Sequence, residues 1–253
     1  MFLWKPHGRA VIRSRLYEII AATLSEHRKR HPEEIDYEFT DYLVRQLVFR
    51  DPTKGCRFIG NPALIPAVPP QKSIFGKEPG VGIPIGDVNN QLNSNIYLNL
   101  FDQYAKRVLK AKHYCRYVDD VRIMHRDYDT LLRIKELSGE FLKNELSLTL
   151  HPTKTKITSS LETNYFLGAA IKPFRRYAKN DTVERFKDFI ERLESSSFDP
   201  VAELSQMNSR LGYFKHFQGW KMVDKVLRSA PKVLSAYDFN ESLTKATIKQ
   251  QTI

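Results

Sequence analysis

Apolar residues recur at helical spacing along most of this chain, and elsewhere they alternate or give way to proline and glycine. Over residues 11–31, Ile12, Leu16, Ile19, Ile20 and Leu24 fall at helical intervals, and the stretch ends in the basic run from His27 to His31. Phe39, Tyr42, Leu43, Leu47 and Val48 predict a second helix over 37–49. Residues 51–84 are rich in proline and glycine and hold no sustained period, which predicts a long loop. From 88 to 109, Leu92, Ile96, Leu100, Tyr104 and Val108 stand four residues apart, the pattern of a helix with one buried face.

Two short β-prone runs within 113–125 meet at Asp119-Asp120 and read as a hairpin. Helical spacing returns over 128–145 through Leu131, Ile134, Leu137 and Phe141, then 146–150 alternates as a strand and 165–171 predicts another. Helices are expected over 182–195, 201–218 and 220–229, and the polar last dozen residues are expected to fray. A mixed first part followed by a helical last part belongs to the α+β class.

Composition narrows the picture. The chain has 253 residues, 42% of them hydrophobic, enough for one large or two small domains with a real core. Such a composition excludes wholesale disorder and collagen-like architecture. No apolar run approaches the roughly 18 residues of a membrane span, and the start lacks the charged-then-apolar order of a signal peptide. A cytoplasmic protein without a membrane partner is expected, with Cys56 and Cys115 as reduced thiols. The net charge of +11 divides as +3 over 1–60, +3 over 61–170 and +5 over 171–253. A surplus spread this way suits a polyanion such as nucleic acid, and suits an ordinary solvated surface equally well.

Adjacent aspartates at a hairpin turn can hold a divalent cation, because rigid strands fix the two carboxylates; they also occur in plain solvated turns. Their surroundings separate the two readings. About thirty residues upstream of Tyr117-Val-Asp-Asp120 stands Gly82-Ile-Pro-Ile-Gly86, a turn that opens a helix carrying Gln91 and Asn95-Ile-Tyr-Leu-Asn99. Downstream come Leu150-His-Pro-Thr-Lys-Thr155, Phe166-Leu-Gly168 and Asn208-Ser-Arg-Leu-Gly-Tyr-Phe-Lys-His216. In this order, over about residues 33–230, the set resembles the palm and thumb of bacterial reverse transcriptases: motif B, motif C, motif D, the primer grip and the first thumb helix. Ile85 before Gly86, together with Gln91, is similar to the diversity-generating retroelement enzymes and related types.

The resemblance implies an antiparallel palm sheet with packed helices followed by a small helical thumb. Its divisions would be 1–60 as residual fingers and palm helices, 61–175 as palm, 176–235 as thumb and 236–253 as a polar tail. It implies RNA-directed DNA polymerisation: nucleotidyl transfer from a dNTP to a primer 3′-hydroxyl, with template RNA and primer or cDNA as partners. Two Mg²⁺ ions, or Mn²⁺ in their place, would be held by Asp119 as main ligand and Asp120 as second. Gly82 and Gly86 would let backbone approach the template–nucleotide pair, with Pro84 stiffening the turn and Ile85 between them. Gln91 would bond template or nucleotide, and Tyr117 would pack beneath the primer terminus. Lys154 would protonate or counter the leaving pyrophosphate. Phe166, Leu167 and Gly168 would grip the primer, and Lys215 and His216 would meet phosphates while neighbouring aromatics pack between helices.

One element of the family pattern has no counterpart. Motif A, a strand with a third metal-binding aspartate, belongs near residues 4–16, yet the first acidic residue is Glu18. Lys5, Arg9, Arg13 and Arg15 stand there instead. The expectation is a truncated or frame-disrupted reading frame whose product has little or no activity alone. It would then act as a nucleic-acid-binding remnant, or as a subunit completed by an accessory protein or a separate fingers segment. His27 and His31 enclose Arg-Lys-Arg, without a zinc protease's glutamate, and read as a solvated basic helix end.

Overall fold

The structure, a computed structural model, describes residues 2–4, 6, 7, 11–51, 53–57, 59–68, 73, 75, 77–83, 88–217 and 219–249, with 2–4, 6, 7 and 62 described by backbone alone. It is mixed α+β and divides into two units, Met1–Ile157 and Thr158–Ile253. The boundary thus lies before the Phe166–Gly168 segment, where the sequence suggests 175. Among the described residues no helix is long and apolar enough to cross a membrane.

In the first unit, α1 (Arg13–Arg30) is followed by α2 (Tyr37–Phe49), which starts where the Asp36 carboxylate accepts the N–H groups of Glu38 and Phe39 at 3.1 and 3.0 Å. Tyr17 and Asp41 join the pair through a 2.7 Å hydrogen bond, and Arg45 bonds Asp41 while lying over the Tyr17 ring. Most apolar residues of α2 do not face inward. Phe39, Tyr42, Leu43 and Leu47 are exposed, and of the expected face only Val48 is buried. Among its described residues the proline-rich stretch holds a 3-10 turn, Pro62–Ala67, capped by Asn61.

α3 (Val88–Arg107) keeps the expected four-residue period but buries a different stripe. Asn93, Tyr97, Phe101 and Ala105 are buried, whereas Leu92 and Val108 are exposed and Ile96, Leu100 and Tyr104 half-buried. Tyr97 fixes the rotation, because its hydroxyl donates to the Leu146 carbonyl at 2.9 Å from α4 (Tyr128–Leu146). Asp127 caps α4 through the Thr130 N–H at 2.7 Å. Ser147, at φ 51°, closes it, and the Leu148 N–H reaches back to the Leu142 carbonyl at 2.9 Å.

These helices pack on one face of a four-stranded antiparallel sheet. Its strands are β1 (Phe2–Trp4), β3 (His113–Tyr117), β4 (Asp120–Met124) and β6 (Lys156–Ile157), in the order β3-β4-β1-β6. β2 (Pro6–His7) pairs separately with β5 (Thr149–Leu150), so the strand expected over 146–150 is shorter and Leu146 ends the helix. Val121 and Ile123 are fully buried against Phe101, Leu131 and Leu142. Alternation sends Cys115, Tyr117, Asp120, Arg122 and Met124 to the opposite face.

In the second unit, the strand expected over 165–171 is a hairpin. β7 (Asn164–Phe166) and β8 (Ala169–Lys172) are joined at Leu167 and Gly168, both with positive φ, and β9 (Arg175–Ala178) pairs with β8. Helices α5 (Asn180–Ser195), α6 (Pro200–Lys215) and α7 (Trp220–Arg228) follow, then a short α8 (Pro231–Ala236) that the apolar pattern does not announce. Their core is built from Phe186, Phe189, Leu193, Met207, Leu211 and Phe214. The polar end does not simply fray. β10 (Tyr237–Phe239) pairs with β11 (Ala246–Ile248), and the Asn208 amide of α6 bonds both the N–H and the carbonyl of Ala246, at 2.7 and 3.0 Å. Tyr237 and Ala246 are each 1% exposed.

Candidate active site

The β3–β4 hairpin turns over two residues, Val118 and Asp119, because Tyr117 pairs with Asp120. Val118 has φ 54°, a left-handed conformation that a β-branched side chain avoids. Strain of about 1–3 kcal/mol persists at such a position only where the surroundings hold it. Arg116 does the holding: one guanidinium nitrogen donates to the Val118 carbonyl and to Asn95 Oδ1, each at 2.9 Å. The other two reach both carboxylate oxygens of Asp102 on α3, at 2.8 and 2.6 Å. Tyr114 donates to the same carboxylate. Burial, and then that bond, raise the Tyr114 hydroxyl pKa, and the Asp102 hydrogen bond raises that of Arg116.

On the outer face this anchored turn presents Asp119, exposed, and Asp120, half-buried. Tyr117 pairs beside Asp120 and is exposed as well. Arg122 lies two residues along the same face but is only 6% exposed. Burial lowers its pKa to about 10, against the opposing pull of the Asp120 carboxylate. Burial likewise raises the Cys115 thiol. Neither Arg116 nor Arg122 stands out in the sequence, where each is one more basic residue among alternating positions.

Lys154 is exposed in the turn between β5 and β6. Leu3 pairs with both Arg122 and Lys156, which sets those two level across β1, so Lys154 lies toward the Asp119–Asp120 end of the sheet. Gly82 has φ 91°, donates to the Val11 carbonyl and accepts Arg13 Nε, each at 2.8 Å. Arg13 is buried and also bonds the Arg50 carbonyl, so it is a structural tie. Pro84, Ile85 and Gly86 lie outside the described residues, as do Lys5 and Arg9. Gln91 is exposed in the first turn of α3. Arg15 pairs with Glu18 and Glu145.

Oxygen donors on a rigid turn suit Mg²⁺, which binds through one or two carboxylates and fills its shell with water and phosphate oxygens. Asp119 and Asp120 are carboxylates of that kind on adjacent residues of the turn. Among the described residues no grouping of three or more metal-ligating side chains includes either of them. β1, the neighbour of β4, carries Phe2, Leu3 and Trp4. Among the described residues, then, the carboxylates that this hairpin turn presents are those of Asp119 and Asp120.

Within the second unit, the Leu167–Gly168 turn and α6 are joined. Tyr213 donates to the Gly168 carbonyl at 2.8 Å, and a Cβ on Gly168 would stand 2.8 Å from the same hydroxyl. With φ 81° besides, the position requires glycine. Phe166 is half-buried and Leu167 exposed. Lys215 and His216 are exposed at the end of α6. Phe214 is buried as expected, whereas Trp220 is exposed with Lys221 over its ring. Arg175, Arg176, Tyr177, Phe217 and Lys221 line one groove, and the two arginines carry no motif that would mark them in the sequence. Neither a protein-family model nor a curated protein sequence matches this chain.

Proposed function

We propose that this protein is a nucleic-acid polymerase of the reverse-transcriptase kind, built as palm and thumb. It binds a template RNA with its primer, and its chemistry is transfer of a nucleotide from a dNTP to the primer 3′-hydroxyl. The observation that carries the reading is the strained Val118 turn, clamped by Arg116 and presenting Asp119 and Asp120 on the face away from the helices. Strain kept at an exposed, carboxylate-bearing turn is the mark of a position held for function.

Mg²⁺ bound there would neutralise the triphosphate and favour the ionised hydroxyl. Asp119 and Asp120 would hold it. Lys154 offers a cation for the departing pyrophosphate from the same end of the sheet, and Tyr117 offers a flat surface beside Asp120. In the second unit, Arg175, Arg176 and Lys221 supply charge for phosphates, and Phe217 an apolar wall.

A second reading, duplex binding without polymerisation, is favoured by the buried Arg122 charge near Asp120 and by a β1 strand without a carboxylate. Primer extension on an RNA template with Mg²⁺ separates the two. Extension, however slow, that disappears in Asp119→Ala supports the first. Salt-sensitive duplex binding without extension, unchanged in Asp119→Asn, supports the second. Extension that survives Asp119→Ala, or no duplex binding at low salt, overturns both.

A further inference from the structure

Far along the chain from the aspartate hairpin, the end of α1 and the turn into α2 gather three ligating side chains. His27 and His31 lie one helical turn apart, with rings stacked at 4.8 Å. Glu34 follows in the turn before Asp36 caps α2. Its Oε2 is 3.1 Å from His31 Nδ1 and 3.8 Å from His27 Nε2. One ligand atom from each of the three lies within 4.8 Å of the others. Zinc bonds of about 2.0–2.1 Å set neighbouring tetrahedral ligands roughly 3.3 Å apart, so small side-chain rotations close the set around one ion.

A fourth residue fixes which nitrogen is offered. Tyr37, 8% exposed, has a single hydroxyl proton and donates it to the His31 carbonyl at 2.6 Å. The same oxygen lies 2.7 Å from His27 Nδ1, so that nitrogen must be the donor. A neutral His27 then carries its lone pair on Nε2, facing the Glu34 carboxylate. Two acceptors facing each other need a cation between them, either a proton on the imidazole or a metal. A histidine whose distal N–H is bonded to an oxygen, leaving its other nitrogen free, is the arrangement that orients metal-bound imidazole.

We propose that His27, His31 and Glu34 form a site for a zinc-class transition metal that fastens the end of α1 to the start of α2, with Tyr37 as positioning residue. Two imidazoles and one carboxylate suit Zn²⁺, Ni²⁺ or Cu²⁺, whereas the all-oxygen pair Asp119 and Asp120 suits Mg²⁺. Three protein ligands leave a fourth position to water. In the sequence the spacing reads as a basic helix end because it lacks the protease glutamate between the histidines; the third ligand comes from beyond the helix.

The test is a Zn²⁺ titration of the full chain against a chromophoric chelator, with excess Mg²⁺ present. A Cys56→Ser/Cys115→Ser background keeps the exposed thiols out of the reading. One equivalent is expected to bind, about tenfold or more weaker in His31→Ala and Glu34→Gln, and about tenfold weaker in Tyr37→Phe. Circular dichroism of the last two, which leave both rings in place, controls for folding. Imidazole ¹⁵N spectra should show Zn²⁺ shifting His27 Nε2 and His31 Nδ1 and leaving His113, His125, His151 and His216 unmoved. Zn²⁺ affinity unchanged in His27→Ala/His31→Ala, or no shift of either ring at a large excess of Zn²⁺, would overturn the proposal.

Discussion

Val118 concentrates the local conflict of this molecule. Its neighbours demand a two-residue turn, and its own branched side chain resists the conformation that the turn requires. Asn tolerates left-handed backbone, so Val118→Asn should stabilise the chain by about 1 kcal/mol in urea denaturation. A loss of stability would show that Val118 is not strained there. The carboxylates at the cap of α4 and within α2 behave oppositely, favouring the fold. Thr130 bonds hold the Asp127 carboxyl below its ordinary pKa, and bonds from Arg45 and Tyr17 lower Asp41 in the same way. A lowered folded value means stability that is complete above the unfolded pKa and lost as pH falls through the folded one. Unfolding midpoints should therefore drop below about pH 4, and Asp127→Asn, which keeps the cap without the charge, should soften that drop. The aspartate pair is legible in sequence because its residues name their chemistry. Arg116 and Arg122 are not, because what distinguishes them is burial and partners across the fold.

At the scale of elements, period is easier to read than phase. The spacing of α3 announces a helix with one buried side, yet its apolar residues lie on two overlapping stripes. Tyr97 and Phe101 win because one reaches the Leu146 carbonyl and the other packs beside Tyr114 and Phe141. Polar Asn93 and small Ala105 come inward with them, which hydrophobicity alone would not suggest. Substitution separates the stripes: Phe101→Ala should cost about 3–5 kcal/mol, while Leu92→Ala and Val108→Ala should each stay within about 0.5 kcal/mol. Equal costs measured by thermal or urea unfolding would reverse the assignment of faces. The hairpin at Leu167–Gly168 is hidden for a related reason, since Leu in left-handed backbone gives no turn signal and a single glycine reads as ordinary. The β10–β11 hairpin is polar along most of its length and is held by Asn208, a partner 38 residues distant that no local pattern encodes.

For the molecule as a whole, the charge of +11 suits a polyanion and a solvated surface alike and locates neither. The groove lined by Arg175, Arg176 and Lys221 is a specific candidate, and counterion release gives it a measurable signature. Replacing all three by Ala should weaken primer–template binding and flatten the slope of log K against log salt by about 2–3, near 0.9 for each phosphate left without its cation. An unchanged slope in a filter-binding or anisotropy series would move the phosphate path elsewhere. The open side of the sheet also carries its own reporter. Cys115 pairs with Arg122 and shares a face with Asp120, and burial holds back the ionisation of its thiol, which slows its reaction with an alkylating reagent. Cys56 is exposed in the proline-rich stretch, away from that face in sequence, and supplies a second thiol in the same chain. Alkylation can therefore test the proposed occupancy without any engineered label: a strand laid across the hairpin should shield Cys115 from a maleimide, while Cys56 serves as the internal clock for reagent strength.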